Sequence, residues 1–189
     1  MTGGLGAGKS TALAVLGRLG AAVISTDAVV HELYATETVR EAVRSRLGEE
    51  VVVDGQVERA RVARRVFADA AERAWLEGLL WPLVGERVAA FRAEAQAREP
   101  APAAVVVETP LLFEAGLERA YDATIAVLAD DELRGRRAGG RGQEAIAERE
   151  RRQLSQEEKG RRATHVVHNS GSLEELERQL AVVLAQITA

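Results

Sequence analysis

Cysteine does not occur in this chain of 189 residues, which excludes disulfides, cysteine-ligated zinc and thiol catalysis, and is compatible with a reducing cytoplasm. No apolar run reaches the length of a membrane span, and the first residues lack the charged-then-apolar order of a secretory signal. Excess positive charge is missing too: 25 Lys and Arg stand against 29 Asp and Glu, a net charge of -4, so wholesale nucleic-acid binding has no electrostatic support. Aromatic residues make up only 4% of the chain, lysine occurs twice and asparagine once. With 47% apolar residues, the length suits one globular domain, residues 1–189, with room for a small insertion. What remains is a cytoplasmic enzyme or binding module, with neither nucleic acid nor membrane as a partner.

What is present begins at the N-terminus. Gly3-Gly-Leu-Gly-Ala-Gly-Lys-Ser10, followed by Thr11, fits G-x-x-x-x-G-K-S/T. A polyphosphate crowds several negative charges together, and backbone N–H donors can close around its oxygens only where side chains do not block the approach. Gly4, Leu5, Gly6, Ala7 and Gly8 therefore read as the cradle. Lys9 offers a compact charge to the outer phosphates, Ser10 offers a hydroxyl to Mg²⁺, and a helix opening near Lys9 points its positive dipole end at the ligand, with Thr11 in its first turn. The bare pattern also arises by chance in glycine-rich turns. Here Thr11 to Leu19 continues as an amphipathic helix, which is the context a nucleoside triphosphate site requires, and one of the two lysines is spent on it.

Further along, Ala21 to Ser25, Ala104 to Glu108, Tyr121 to Leu128 and Thr164 to His168 read as strands separated by helical segments, an α/β pattern. Two of them end in or beside an acid, at the sheet edge where such folds bind ligands. Asp27 reads either as a functional carboxylate or as the N-cap of a helix from Ala28 to Tyr34. Glu108 reads as a ligand of Mg²⁺ or of its water shell, or as a cap or solvated loop charge. Between these strands, residues 36–100 are mostly helical. Val51 to Val57 suggests two extended pieces around an Asp-Gly turn, Asp69 to Glu72 a capping box, and Pro82 a kink or restart. Trp75, Trp81 and Phe91 read as core residues. Pro110 to Leu117 is apolar with one acid and should pack over something.

From Arg134 to Arg162 the chain carries nine arginines and one lysine against five glutamates. Arg134, Arg137 and Arg141 fall along one helical face, with Arg149 beyond; they make either a solvated charged face or a lid that closes on a transferring phosphoryl group. Asn169 suits a turn before Gly171 or a contact near a nucleotide base, and Ser172 caps a last helix to Ile187.

Taken with Thr2 to Thr11, Asp27, the arginines through Arg141 and His165-Val-Val-His-Asn-Ser-Gly171, the segment Pro110-Leu-Leu-Phe-Glu-Ala-Gly-Leu117 makes the chain resemble the dephospho-CoA kinases along nearly its whole length. The resemblance implies a P-loop NTPase-type doubly wound parallel sheet, a helical acceptor-binding insertion at about residues 31–100 and an arginine-rich lid at about 132–160. It implies transfer of the γ-phosphoryl of ATP to the ribose 3′-hydroxyl of dephospho-CoA, with Mg²⁺. Lys9 and the lid arginines, Arg141 among them, would stabilise phosphoryl oxygens, and Ser10 would hold the metal. Asp27 would accept or orient the hydroxyl proton. We expect a monomer or weak homo-oligomer. The chain departs from the family pattern at Trp81, where histidine is usual before the proline, and at His168, where aspartate is usual.

Only Met1-Thr2 stands where the first strand belongs. Such a strand is normally central and needs four or five apolar residues, so we expect a gap in the sheet, and about five to eight further apolar residues encoded before Met1. A kinase of another small molecule, such as a nucleoside monophosphate, would share the loop, Asp27 and an arginine lid but not the insertion or Pro110 to Leu117. A switch GTPase would need a D-x-x-G that none of the six aspartates begins. A nucleotide-binding protein without turnover would have no use for Lys9, Ser10, Asp27 and the arginines together.

Overall fold

The computed structural model describes residues 1–138 and 153–189. They form two compact units, one of Met1–Ser25 with Arg92–Ala189 and one of Thr26–Phe91.

In the first unit five short strands run parallel: β1 (Thr2–Gly3), β2 (Ala22–Ser25), β5 (Val105–Glu108), β6 (Ile125–Leu128) and β7 (His165–His168). Strands β2, β5 and β6 are mainly small and β-branched residues, the composition of buried parallel strands, whereas β7 leaves Val166 and His168 exposed. They make two ladders, β1-β6-β7 and β2-β5. The expected gap shows as two separate ladders, and Met1, just before β1, bridges them. The Met1 nitrogen donates to the Val107 carbonyl at 2.7 Å, and Thr109 N donates to the Met1 carbonyl at 2.9 Å, so one backbone residue links both ladders. A parallel strand spends its hydrogen bonds residue by residue, and here a single residue supplies a pair.

Helix α1 (Lys9–Arg18) and the C-terminal helix α8 (Leu173–Thr188) supply the apolar stripes that cover these strands. Val15, Leu16, Val127, Val167, Leu176 and Leu180 are buried in one cluster with Met1 and Ala12. Ser172 caps α8 as expected, its hydroxyl accepting from Glu175 N at 3.2 Å. Helices α6 (Asp131–Ala138) and α7 (Gln156–Arg162) follow β6 and precede β7. The segment after β5 folds as turns that bury Leu112 and Phe113, and the Arg162 guanidinium lies 5.0 Å from the Phe113 ring centre.

The second unit has its own core, with Tyr34, Val39, Val43, Val51, Val62, Leu76 and Leu80 buried. It comprises α2 (Thr26–Ala35), α3 (Glu37–Leu47), the hairpin β3 (Val52–Val53) and β4 (Gln56–Val57), α4 (Arg59–Ala68) and α5, which runs from Ala70 on to Gln96 in the first unit. Asp54 and Gly55, both at positive φ, form the expected turn.

Three sequence expectations need correction here. Helix α5 passes through Pro82 without a break. Proline removes one N–H and crowds the carbonyl four residues back, here Gly78, but Gly78, Trp81 and Pro82 all lie on an exposed turn where water can serve that carbonyl. Trp81 is 53% exposed rather than a core residue, whereas Trp75 packs on the core with Arg46 over its ring. At the start of α5 only half of the capping box forms. Asp69 Oδ1 accepts from Ala71 N at 2.7 Å, while Glu72 is engaged by Arg46 at 2.9 Å.

Candidate active site

The glycine loop joins β1 to α1, so the helix N-terminus opens at the carboxyl edge of the parallel strands. Gly6 and Gly8 have φ of 73° and 85°, the left-handed region that L side chains resist. Space is short as well: a Cβ on Gly6 would sit 2.5 Å from the Arg134 carbonyl oxygen, and one on Gly8 would overlap the Asn169 side-chain nitrogen. Gly8→Ala and Gly6→Ala are each expected to weaken Mg-ATP binding by tenfold or more, since the left-handed φ alone costs about 1 to 2 kcal/mol. Calorimetric titration checks this, and parent-like affinity would show that the loop is softer than its geometry.

Lys9 begins α1, with its Nζ 3.1 Å from the Gly4 carbonyl, and Ser10 and Thr11 follow it as exposed residues of the first turn. Asn169, at the end of β7, is buried and donates from Nδ2 to the Ala7 carbonyl at 2.9 Å. The single asparagine of the chain thus touches the phosphate loop itself. Two arginines of α6 join this cluster. Arg134 Nε donates to the Leu5 carbonyl at 2.9 Å, and Arg137 Nη1 donates to the Asn169 carbonyl at 3.1 Å. Arg141 and Arg149 lie outside the described residues.

Glu108 ends β5 in register with Ser25 of β2, and the Ser25 hydroxyl donates to its carboxylate at 2.5 Å. Only 5% of Glu108 is exposed, so it is no solvated loop charge. Asp27 lies two residues beyond β2 and is exposed. Since α2 already begins at Thr26, Asp27 occupies its first turn and is not its N-cap.

Sequence reasoning missed Arg134 as a neighbour of the loop and Lys159 as a buried residue. Lys159 has no exposed surface; its Nζ donates to the Pro110 carbonyl at 2.7 Å and pairs with Glu114 at 2.9 Å. Burial lowers its pKa from the ordinary 10.5, with Glu114 opposing. Its rarity was the available signal: a chain that otherwise uses arginine keeps lysine where a compact ammonium is needed.

Comparison with known proteins agrees with this architecture. A model of the dephospho-CoA kinase family matches residues 1–175. A dephospho-CoA kinase of Deinococcus radiodurans is 45% identical over 193 aligned positions, covering 99% of this chain and 90% of that protein. One of Thermus thermophilus is 41% identical over 191, covering 100% and 90%. Among solved structures, one from Thermus thermophilus superposes with a TM-score of 0.82 at 39% identity over 100% of this chain and 96% of that one. The dephospho-CoA kinase from Campylobacter jejuni shares the fold, with a TM-score of 0.69 at 23% identity over 99% and 94%. A parallel α/β sheet, a glycine loop opening a helix at its carboxyl edge, and similarity along the whole chain carry one conclusion: this chain belongs to the dephospho-CoA kinase family.

Proposed function

We propose that this protein transfers the γ-phosphoryl group of ATP to the ribose 3′-hydroxyl of dephospho-CoA, giving CoA and ADP, the last step of coenzyme A synthesis. The observation that carries the reading is the Gly4–Gly8 cradle, with left-handed Gly6 and Gly8 and Lys9 at the helix start, in a chain of this family. The 3′-oxygen attacks the γ-phosphorus, the bond to the β-phosphate oxygen breaks, and the hydroxyl proton passes to Asp27. Because the transition state is loose, positioning and charge neutralisation dominate. Lys9 stabilises the phosphoryl oxygens, and Arg141 adds a guanidinium from the lid at about residues 132–160.

Ser10 and Glu108 are assigned to Mg²⁺, directly or through its water shell. The donor set suits that ion. Among the described residues no group of three His, Cys, Asp or Glu forms an all-protein cage. One hydroxyl and one carboxylate are the hard oxygens with which Mg²⁺ completes a shell of phosphates and water. The Thr109 hydroxyl next to Glu108 is buried without a partner among the described residues, which leaves it available to such a shell. When bound, the metal neutralises phosphate charge.

Acceptor recognition is assigned to the insertion at about residues 31–100, a reading supported by the separate core of Thr26–Phe91. The proposal extends to a cytoplasmic monomer or weak homo-oligomer whose partners are ATP and dephospho-CoA. No described helix is long and apolar enough to cross a membrane.

The test is ADP formation by purified protein with Mg-ATP and a panel of acceptors. We expect the fastest turnover with dephospho-CoA and little with nucleoside monophosphates. Equal rates with and without dephospho-CoA would overturn the proposal.

A further inference from the structure

Two carbonyl groups of the phosphate loop are held from outside by side chains distant in sequence. Arg134 Nε, 129 residues away, donates to the Leu5 carbonyl at 2.9 Å, and Asn169 Nδ2, 162 residues away, donates to the Ala7 carbonyl at 2.9 Å. Neither interaction is needed to hold the strands or to bury apolar surface. Their effect lies in the peptide planes they seize. In a planar trans peptide the carbonyl of one residue and the N–H of the next point in opposite directions. Drawing the Leu5 carbonyl toward Arg134 therefore turns the Gly6 N–H to the opposite side, and drawing the Ala7 carbonyl toward Asn169 does the same for the Gly8 N–H. These are the two glycines at positive φ, and a glycine leaves the adjoining peptide plane free to rotate at little steric cost. Unheld, both N–H groups would sample directions away from a bound phosphate.

We propose that Arg134 and Asn169 are positioning residues: they lock the Leu5–Gly6 and Ala7–Gly8 peptide planes so that the Gly6 and Gly8 N–H groups stay aimed at the phosphates of ATP. The inference rests on the ATP-using reading above. Both clamps are themselves braced from α6. The Arg134 guanidinium pairs with Asp131 at 2.8 Å, and Arg137 Nη1 holds the backbone carbonyl of Asn169 at 3.1 Å. The Arg134 guanidinium also lies against Gly4, where a Cβ would come within 3.0 Å of Nη2. One helix thus fixes the outer side of the loop while leaving its inner side to the ligand.

The test is calorimetric titration of Mg-ATP into the full chain, for the parent and three variants. Arg134→Met keeps the aliphatic length but donates nothing, and should weaken binding about tenfold, the effect of about one hydrogen bond. Arg134→Lys retains a donor and should recover most of that loss. Asn169→Asp at pH 8 sets a carboxylate against the Ala7 carbonyl and should weaken binding tenfold or more. Near pH 5 the deficit relative to the parent at the same pH should shrink, because burial against the Ala7 carbonyl raises the introduced carboxyl's pKa and the protonated acid can donate again. Parent-like affinity in both Arg134→Met and Asn169→Asp at pH 8 overturns the inference. A loss that neither lysine nor low pH relieves overturns it as well, since that marks a damaged fold and not a lost donor. A parent that fails to bind Mg-ATP overturns the kinase reading itself and the clamps with it.

Discussion

Asp27→Asn is expected to slow turnover by about 10²- to 10⁴-fold while leaving Mg-ATP affinity near that of the parent. Asparagine keeps the size and polarity of the side chain but removes its charge and its capacity to take a proton, so the change tests general-base action with shape held constant. The competing role predicts something different. Asp27 lies in the first turn of α2, where an acid favours the helix dipole. If that were its whole contribution, the variant would lose about 0.3 to 1 kcal/mol of stability and keep its rate. Lys9→Ala provides the contrast. It removes the charge and the bond to the Gly4 carbonyl, so a loss of about 10²-fold or more in turnover should come with weakened ATP binding. Measuring kcat, Mg-ATP affinity and the thermal midpoint on both variants separates these roles. An Asp27→Asn protein with the parent's kcat would remove Asp27 from the chemistry.

Much of the site's scaffold was legible because it rests on local rules. The glycine spacing, the helix opening at Lys9, the β-branched runs ending at Ser25 and Glu108, and the serine cap of α8 each follow from residues within a few positions of one another. What escaped depends on contacts between distant parts of the chain. Arg134 looked like one charge in an arginine run; its bond to Leu5 exists only because β1 pairs with β6 and brings α6 over the loop. Asn169 was noticed for its rarity, but its contact with Ala7 depends on where β7 ends. Trp81 was misjudged because size and apolarity say nothing about which way a helix turns its residues. Proline at position 82 was read as a kink or restart, although an exposed turn lets a helix continue past one missing bond. For the first strand, counting apolar residues foresaw the two-residue β1 and the separate ladders, but not that the backbone of Met1 links them.

Lys159→Met is expected to cost about 3 to 5 kcal/mol of stability, which against a typical total of about 5 to 15 brings the protein close to unfolding. Lys159 on α7 has no exposed surface and ties that helix to three places: the Pro110 carbonyl at 2.7 Å, Glu114 at 2.9 Å and the Thr2 hydroxyl of β1 at 3.4 Å. Methionine fills similar space but abandons Glu114, whose Oε2 is already buried without a partner among the described residues. The cost is thus mainly that of an uncompensated buried carboxylate, and this makes it reversible. In Lys159→Met combined with Glu114→Gln the charge is gone, while an amide oxygen can still accept the Leu154 N–H that now bonds Glu114 at 2.7 Å. Most of the stability should return. Acidity gives a second signature. Burial lowers the Lys159 pKa below its ordinary 10.5, so between the folded-state value and 10.5 the unfolded chain holds more protons than the folded one. Stability from this group therefore rises as pH climbs through that window, and Lys159→Met loses the rise. Urea denaturation of parent, single and double variants from neutral pH to about 10.5 measures both effects. A single variant as stable as the parent would refute the latch, and a double variant no better than the single would shift its energy from Glu114 to the bonds with Pro110 and Thr2.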